Sequence, residues 1–210
     1  MHKIIQDLNW RYATKKFDSS KKISPEDFDI IKESLRLVPS SYGLQPLKFI
    51  IVESQYTRED LASATYGQLQ VVEASHLIVI CCATNIGEKE VDCHIENLAN
   101  TRDLALEEVS GYGRFMKQTI SKMSAEEKLS WNCKQAYIAL GQLLHTCANL
   151  RIDATPMEGF DPKAYAEILG INTEEYSPIL LCPIGYRDEE DATQHLKKVR
   201  KSQSVIFEVK

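Results

Sequence analysis

The chain has 210 residues, of which 43% are hydrophobic and 26% charged, and its formal net charge is −5. This composition is typical of a soluble globular protein with one substantial core or two small ones, and it gives no support to a nucleic-acid-binding surface. No apolar run approaches the roughly 18 residues that cross a bilayer. The N-terminal stretch MHKIIQDLNWRYA lacks the long apolar segment of a signal peptide. We therefore expect a cytoplasmic protein with neither nucleic acid nor membrane as a partner.

Two helices are predicted before residue 39. Residues 3–10 indicate a short amphipathic helix, which the basic and irregular segment RYATKKFD follows. Ser24 and Pro25 begin a second helix, because a serine N-cap and a proline at the first helical position are typical helix starts. That helix must end before Pro39, since the residue before a proline disfavours helical backbone.

Two strands with a helix between them come next. The first strand, LKFIIVES, begins at Leu47, and a capped helix begins at Thr57. The second strand, HLIVICCAT, begins at His76 and is apolar on both faces, which is typical of a strand in the middle of a sheet. Residues 88–109 then predict an exposed amphipathic helix, which the glycines at 111 and 113 end.

The longest helix is predicted over residues 124–150. It begins with an S-x-x-E capping box at Ser124. Its middle, AYIALG at 136–141, is apolar on every side, as in a helix that is buried all round. The chain could bury this helix in its own centre, or pack one side of it against a second copy.

The C-terminal part adds one helix and two strand-like runs. Asp161 and Pro162 begin a capped helix that Gly170 ends, and PILLCPIGY follows as a third strand. The run SVIFEV at 204–209 predicts a fourth strand, which needs a sheet edge in this chain or in its partner. Because helices and strands mix without strict alternation, the sequence predicts an α+β fold in one domain, residues 1–210.

The positions of the cysteines indicate that they pack in the core and have no catalytic or metal-binding role. None belongs to a C-x-x-C pair, and most lie in apolar strand or helix runs, as small buried hydrophobic residues do. Adjacent Cys93 and His94 have poor spacing for one metal ion, so no metal site is expected. His76 and His145 are expected to be capping or core residues. The six cysteines are Cys81, Cys82, Cys93, Cys133, Cys147 and Cys182.

Four short segments carry groups suited to a ligand. Residues 11–15 offer arginine, hydroxyl and lysine donors, and residues 39–46 offer serine hydroxyls and free backbone N–H groups. Residues 156–159 form a rigid turn whose glycine lets a flat ligand come close. Residues 198–200 place two cations on one side of an extended chain. Such cations suit a phosphate, and the small donors suit a flat heteroaromatic ring.

The order of these motifs resembles the FMN-dependent nitroreductase family, on the branch of oxygen-insensitive NAD(P)H nitroreductases and dihydropteridine reductases. The resemblance covers residues 3–209 and is carried by RYATKKF, PSSYGLQP, EASHLIV, PMEGFDP and KVR. It implies a nitroreductase-like α+β fold with a central mixed, mainly antiparallel sheet flanked by helices. It also implies a domain-swapped homodimer with FMN at the subunit interface. The long helix would lie in the dimer core, and the C-terminal strand would join the partner's sheet.

The resemblance also implies a role for each motif residue. Arg11, Lys198 and Arg200 would grip the FMN phosphate, while Tyr12 and Ala13 would contact the ribityl chain through their backbone. The remaining expected contacts are Lys15 and Gln70 at the pyrimidine edge, Pro156 and Met157 on one ring face, Glu158 and Gly159 near N5, and Pro39, Ser40, Ser41 and Gly43 from the other subunit.

Four positions depart from the family pattern. Ala13 replaces a usual serine or threonine, Gly67 a frequent asparagine, and Leu47 a common tryptophan. Gln70 stands where many relatives have lysine, and a neutral amide stabilises negative charge on the reduced flavin less than an ammonium group does. We therefore expect a lower flavin reduction potential than in the lysine-bearing relatives.

The implied reaction is a ping-pong reduction of a nitroaromatic, quinone or pteridine, with NAD(P)H as co-substrate and the flavin carrying the chemistry. Glu158 is the nearest candidate for a catalytic side chain, although its backbone alone could serve. Tyr112, Phe115 and Met116 lie where relatives form a lid, and they would contact substrate or simply pack. Two alternatives stay open on the sequence: a flavin reductase that releases reduced FMN, and a non-catalytic flavin-binding sensor or scaffold dimer.

Overall fold

A four-stranded sheet with helices on both faces organises the chain, and the computed structural model describes residues 1–210. The strands are β1 (Leu47–Val52), β2 (His76–Ala83), β3 (Asp153–Ala154) and β4 (Tyr176–Gly185). The helices are α1 (Lys3–Trp10), α2 (Pro25–Arg36), α3 (Gln55–Ser63), α4 (Gln70–Glu73), α5 (Glu88–Thr101), α6 (Leu106–Ile120), α7 (Ala125–Asn149), α8 (Pro162–Ile168) and α9 (Gln203–Ile206). These elements confirm the predicted α+β class. No helix has the length and apolar character that crossing a membrane requires.

The strands pair in the order β1-β2-β4-β3, and every pair is antiparallel. The sheet of this chain is therefore antiparallel throughout, which agrees with the predicted mainly antiparallel sheet, and a strand added by a partner stays a prediction. The prediction that β2 is central is confirmed, and both β2 and β4 are almost entirely buried. Since successive side chains of a strand point to opposite faces, Ile78 and Ile80 pack with α2 and α7, whereas Leu77 and Val79 pack with α3 and α8.

The long helix α7 confirms the predicted capping box, in which the Ser124 hydroxyl accepts a hydrogen bond from the Glu127 N–H. One face of α7 packs on the sheet through residues such as Ala139. The opposite face is open, because Tyr137 and Ile138 each retain 46% of their accessible surface. The chain therefore does not bury this helix on every side, and the packing of its open face against a second copy stays a prediction.

The predicted helix over 88–109 is wrong in its C-terminal boundary, because α5 ends at Thr101 and α6 already begins at Leu106. Gly111 and Gly113 do not break a helix but lie inside α6. A Cβ atom at Gly113 would lie 3.0 Å from Ile95 Cγ1, so this glycine allows α5 and α6 to approach closely. Gly113 thus indicates close packing and not a turn, whereas a Cβ atom at Gly111 would have no neighbour closer than 3.8 Å.

Two further boundaries differ from the predictions. Helix α3 begins at Gln55 and not at Thr57, because the Ser54 hydroxyl accepts the Thr57 N–H and acts as the N-cap. The predicted strand over 204–209 is wrong at its start, since Gln203–Ile206 form one helical turn. Phe207 has extended backbone, and pairing of residues 207–209 with a partner's sheet stays a prediction.

Candidate functional site

Three cations meet where the C-terminal end of α1 faces the C-terminal segment. Arg11, Lys198 and Arg200 all line a cavity of about 340 Å³, together with Tyr12 and Ala13. The Lys198 Nζ donates a hydrogen bond to the Arg11 carbonyl oxygen. None of the three cations forms an ion pair with a carboxylate. The sequence motifs at residues 11–13 and 198–200 are therefore brought together, as predicted.

The electrostatics of this cluster favour an anion. Burial lowers the pKa of Arg11, and the neighbouring Arg200 charge lowers it further. Burial also lowers the pKa of Lys198, and the charges of Arg11 and Arg200 add to that effect. The buried Arg11 Nε has no hydrogen-bond partner in the protein. Because a buried guanidinium donor without an acceptor is costly, the cluster fits a phosphate group that supplies the missing acceptor.

Asp191 holds the segment after Arg11 in place. Its Oδ2 accepts hydrogen bonds from the Tyr12 hydroxyl at 2.8 Å, the Lys15 N–H at 2.8 Å and the Lys16 N–H at 3.3 Å. Burial alone would raise the pKa of Asp191, but hydrogen bonds from Thr193, Lys15 and Tyr12 outweigh it and lower the pKa to about 2. Asp191 is therefore ionised at neutral pH and fixes the backbone beside the cavity.

A second anchor lies behind the same segment. The Thr155 hydroxyl donates to the Thr14 carbonyl oxygen at 2.7 Å. Buried Asp153 accepts three hydrogen bonds from the Arg187 side chain, of which the shortest is 2.6 Å. The Arg187 guanidinium also lies over the ring of Tyr12, 4.6 Å from its centroid. Residues 12–14 are thus held from both sides, and Ala13 presents its backbone without a side-chain hydroxyl.

The turn at residues 156–159 carries two free donors. Neither the Glu158 nor the Gly159 backbone N–H has a hydrogen-bond partner in the chain. The Tyr137 hydroxyl donates to Glu158 Oε1 at 2.9 Å, and the Gln68 Nε2 donates to the Gly159 carbonyl oxygen at 3.2 Å. This turn therefore offers preorganised N–H groups to a ligand while α7 and the segment before α4 hold it.

The other predicted contacts of a flat ring differ in accessibility. Met157 is buried in the core that Leu181 and its neighbours form, so its side chain packs within the chain while Pro156 stays partly exposed. Gln70 at the start of α4 is only 7% exposed, and its amide makes no hydrogen bond within the chain. Lys15 is exposed and unpaired. Gln70 and Lys15 are thus both free to donate to a ligand.

The loop at residues 39–46 satisfies most of its own donors, contrary to the prediction of free backbone N–H groups. The Ser41 N–H donates to Gln135 Oε1 at 2.9 Å, and the Gln45 N–H donates to the Ser40 hydroxyl at 2.8 Å. The Gly43 N–H donates to the Ser40 carbonyl oxygen at 2.9 Å. Tyr42, Gly43 and Gln45 have positive φ angles. The loop is a rigid turn that leaves the Ser41 hydroxyl free.

An aromatic cluster covers this loop. The Tyr42 ring meets Tyr112, Phe115 and Trp131 edge to face, with ring centroids 5.7 to 6.4 Å apart. Tyr112 and Phe115 retain exposed surface, and their contact with substrate stays a prediction. Met116 is completely buried against α5, so packing and not substrate contact is its role in this chain.

The single chain does not assemble all of the predicted site residues. Residues 39–46 do not line the cavity that holds Arg11 and Lys198. The histidines behave as expected of structural residues, since His76 stacks on Phe28 and His145 contacts Asn149 on α7.

Sequence reasoning missed four residues: Gln68, Gln135, Tyr137 and Asp191. Tyr137 is an exposed residue in an apolar stretch of α7, so its local sequence gave no signal for the contact with Glu158.

Residues 8–186 match the model of the Nitroreductase family. The Major NAD(P)H-flavin oxidoreductase of Aliivibrio fischeri is 34% identical over 208 residues, which cover 96% of this chain and 95% of that protein. A Staphylococcus saprophyticus protein named as an NAD(P)H nitroreductase is 33% identical over 213 residues, covering 98% and 95%. A nitroreductase of Exiguobacterium sibiricum, solved in complex with FMN, shares the fold with a TM-score of 0.84 at 23% identity, covering 100% of this chain and 98% of that chain.

Proposed function

Because this chain belongs to the nitroreductase family, we propose that it is an FMN-dependent NAD(P)H oxidoreductase. One observation supports this function above the others: three cations without carboxylate partners line one cavity, and the buried Arg11 Nε lacks an acceptor. A flavin phosphate satisfies both features. Riboflavin, which has no phosphate, would leave them unsatisfied.

The chain's own residues divide the work of binding. Arg11, Lys198 and Arg200 hold the phosphate, and the Asp191 carboxylate keeps residues 12–16 in the conformation that lets their backbone meet the ribityl chain. Gln70 and Lys15 donate to the pyrimidine edge of the ring. When bound, FMN would supply the redox chemistry between NAD(P)H and a second substrate.

The turn at 156–159 orients the reacting edge of the flavin. The Glu158 and Gly159 N–H groups have no partner in the chain, and they would donate to the ring near N5, where preorganised donors stabilise charge. The Tyr137 hydroxyl fixes the Glu158 carboxylate, which would then help to shape the nicotinamide pocket. Glu158 thus acts mainly as a shaping group, and no side chain is required as an acid or base.

The site is completed by a second subunit in this proposal. The exposed face of α7, with Tyr137 and Ile138, supplies an apolar surface for a homodimer, and the exposed Phe207 and Val209 extend away from their own core. Pro39, Ser40, Ser41 and Gly43 of the second subunit would then approach the flavin that the first subunit holds. Size-exclusion chromatography with light scattering measures this state, and a monomeric FMN-loaded protein would contradict it.

Two classes of electron acceptor fit the site. A nitroaromatic, quinone or pteridine would stack beside exposed Tyr112 and Phe115. Free flavin is the second candidate, which the name of the Aliivibrio fischeri relative favours. Weak retention of FMN through purification would favour the second candidate, and tight retention the first.

Flavin titration of the apoprotein tests the proposed function. We expect FMN to bind at least about tenfold more tightly than riboflavin, because an arginine–phosphate contact contributes more than about 1.4 kcal/mol. In Arg200→Gln the preference should shrink, whereas Arg102→Gln, which removes an exposed arginine of the turn after α5, is the matched control. Equal affinities for the two flavins in the unmodified protein would refute the proposed phosphate site.

A further inference from the structure

Two cysteines meet beneath the loop at residues 39–46. Cys82 lies near the end of β2 and is completely buried, whereas Cys133 lies on α7 and is partly exposed. Their Sγ atoms are 3.3 Å apart, and both thiols are free. A disulfide bond has sulfur atoms about 2 Å apart, so a closure of roughly 1 Å would join the two. Neither thiol has a part in the proposed flavin chemistry.

The contact makes the two thiols chemically different. The two sulfur atoms share a hydrogen bond, and this contact lowers the pKa of Cys133 below its usual value. The same contact, together with burial, raises the pKa of Cys82 well above its usual range. The lowered pKa favours the thiolate of Cys133, which is also the more exposed of the two cysteines, and thiolates are the reactive form of cysteine. By contrast, burial raises the pKa of Cys147 and Cys182.

We propose that Cys82 and Cys133 form an oxidisable dithiol site, which a hydroperoxide converts into an intrachain disulfide. The Cys133 thiolate attacks the peroxide O–O bond, so that one oxygen forms a sulfenic acid on Cys133 and the other leaves as water after protonation. The Cys82 sulfur then attacks the sulfenic sulfur, and the thiol proton leaves with the hydroxyl group as a second water. The two sulfur atoms lose two electrons in total, which reduce hydrogen peroxide to two molecules of water.

The site is connected to the loop by short hydrogen bonds. The Ala83 N–H, next to Cys82, donates to the Pro46 carbonyl oxygen at 2.9 Å. On α7, Asn132 donates to the Ala83 carbonyl oxygen at 2.8 Å, and Gln135 accepts the Ser41 N–H at 2.9 Å. Closing the disulfide draws α7 towards β2 at the base of the loop. If the proposed function holds, this shift weakens FMN binding by about tenfold, which is roughly the effect of losing one hydrogen bond.

Peptide mapping of the purified full-length protein tests the site directly. The protein is treated with hydrogen peroxide, its remaining thiols are alkylated, and the non-reduced digest is analysed by mass spectrometry. We expect a cross-linked peptide pair that contains Cys82 and Cys133 and that dithiothreitol separates. Cys133→Ser should abolish the cross-link, whereas Cys93→Ser, which removes an exposed cysteine elsewhere, should leave it unchanged. In Cys82→Ser the sulfenic acid cannot be resolved, so dimedone should label Cys133.

Two results of the peptide map would refute the dithiol site. The site is refuted if both thiols stay alkylatable at peroxide concentrations that oxidise Cys93, or if Cys133 proceeds to sulfinic acid while Cys82 stays free. If a variant fails to fold, the map of the unmodified protein decides alone. An FMN affinity that is equal in the reduced and cross-linked protein refutes the link to the loop. If the protein with both thiols reduced binds no FMN, the proposed function is refuted, and so is the link between the disulfide and the loop. The peptide map still tests whether Cys82 and Cys133 form a disulfide.

Discussion

Replacing Asp191 by asparagine tests whether its carboxylate, which is distant in sequence but hydrogen-bonded to Tyr12, holds the proposed flavin phosphate site in place. In the structure, Asp191 Oδ2 accepts hydrogen bonds from the Tyr12 hydroxyl and from the Lys15 and Lys16 N–H groups, while Oδ1 accepts the Thr193 N–H at 3.0 Å. Asparagine has the same shape but only one acceptor oxygen. Whichever way the amide is oriented, one set of donors then faces an NH₂ group.

The expected magnitude follows from these contacts. A hydrogen bond to a charged group contributes about 1.5–3 kcal/mol. In the variant, every hydrogen bond to residue 191 loses its charged acceptor, and the donors that face either Oδ1 or Oδ2 lose their acceptor altogether. We expect Asp191→Asn to lower the free energy of unfolding by about 2–4 kcal/mol. Because residues 11–15 are then less well fixed, FMN affinity should fall by about tenfold, which corresponds to about 1.4 kcal/mol.

The pH dependence gives an independent check. The folded pKa of Asp191 is about 2, below the value near 3.9 of an unfolded aspartate. A carboxyl group with a lowered folded pKa stabilises the protein above the unfolded pKa, and this contribution is lost as pH falls through the folded pKa. The stability difference between the original protein and Asp191→Asn should therefore be constant from about pH 5 to 8 and shrink between about pH 4 and 2.

Urea unfolding and FMN fluorescence titration measure both effects. Glu189→Gln is the matched control, because it makes the same change of charge two residues away at an exposed position. The control should change stability by less than about 0.5 kcal/mol. The reasoning fails if Asp191→Asn is as stable as Glu189→Gln and binds FMN with the same affinity.

Three further changes have defined outcomes. Tyr137→Phe removes the hydroxyl that holds the Glu158 carboxylate. Because an exposed hydrogen bond contributes about 1 kcal/mol, kcat/KM for NAD(P)H should fall by about fivefold at unchanged FMN affinity. An effect no larger than that of the control Tyr66→Phe would contradict this role of Tyr137. Gln70→Lys should raise the reduction potential of the flavin in a redox titration by about 20–40 mV, equivalent to about 1–2 kcal/mol for two electrons. An unchanged or lower potential would contradict the electrostatic role of this position. In thermal unfolding, Gly111→Ala should stabilise α6 by about 0.5–1 kcal/mol, whereas Gly113→Ala should destabilise it through contact with α5; equal stabilities would show that the close approach has no cost.

The fold was predictable wherever local chemistry determines an element. The cap at Ser24, the capping box at Ser124 and the continuous apolar run of β2 all specify their elements without help from distant residues. The prediction failed at Gly113, because its side-chain-free surface serves contact with Ile95 on another helix, which sequence alone does not reveal. The start of the predicted C-terminal strand failed similarly, since β propensity there does not outweigh a local helical turn.

The candidate site divides in the same way. Its motif residues, such as Arg11 and Lys198, were visible because cations and glycines suit a phosphate and a flat ring. The residues that hold these motifs in place could not be predicted from the sequence. Asp191 contacts Tyr12 from 179 residues away in the chain, and Tyr137 contacts Glu158 from 21 residues away. Nor did the sequence distinguish Cys82 and Cys133 from cysteines that merely pack, since only the fold brings their sulfur atoms together.

Anaerobic mixing of the FMN-loaded protein with NADPH or NADH tests the central claim most directly. The flavin absorbance of the protein is followed in the absence of any second substrate, so that only transfer from the nicotinamide is observed. The proposed function predicts that at least one of the two nucleotides bleaches the bound flavin, and that adding a quinone or nitroaromatic restores its absorbance. A bound flavin that stays oxidised with both nucleotides would contradict the assignment as an NAD(P)H oxidoreductase.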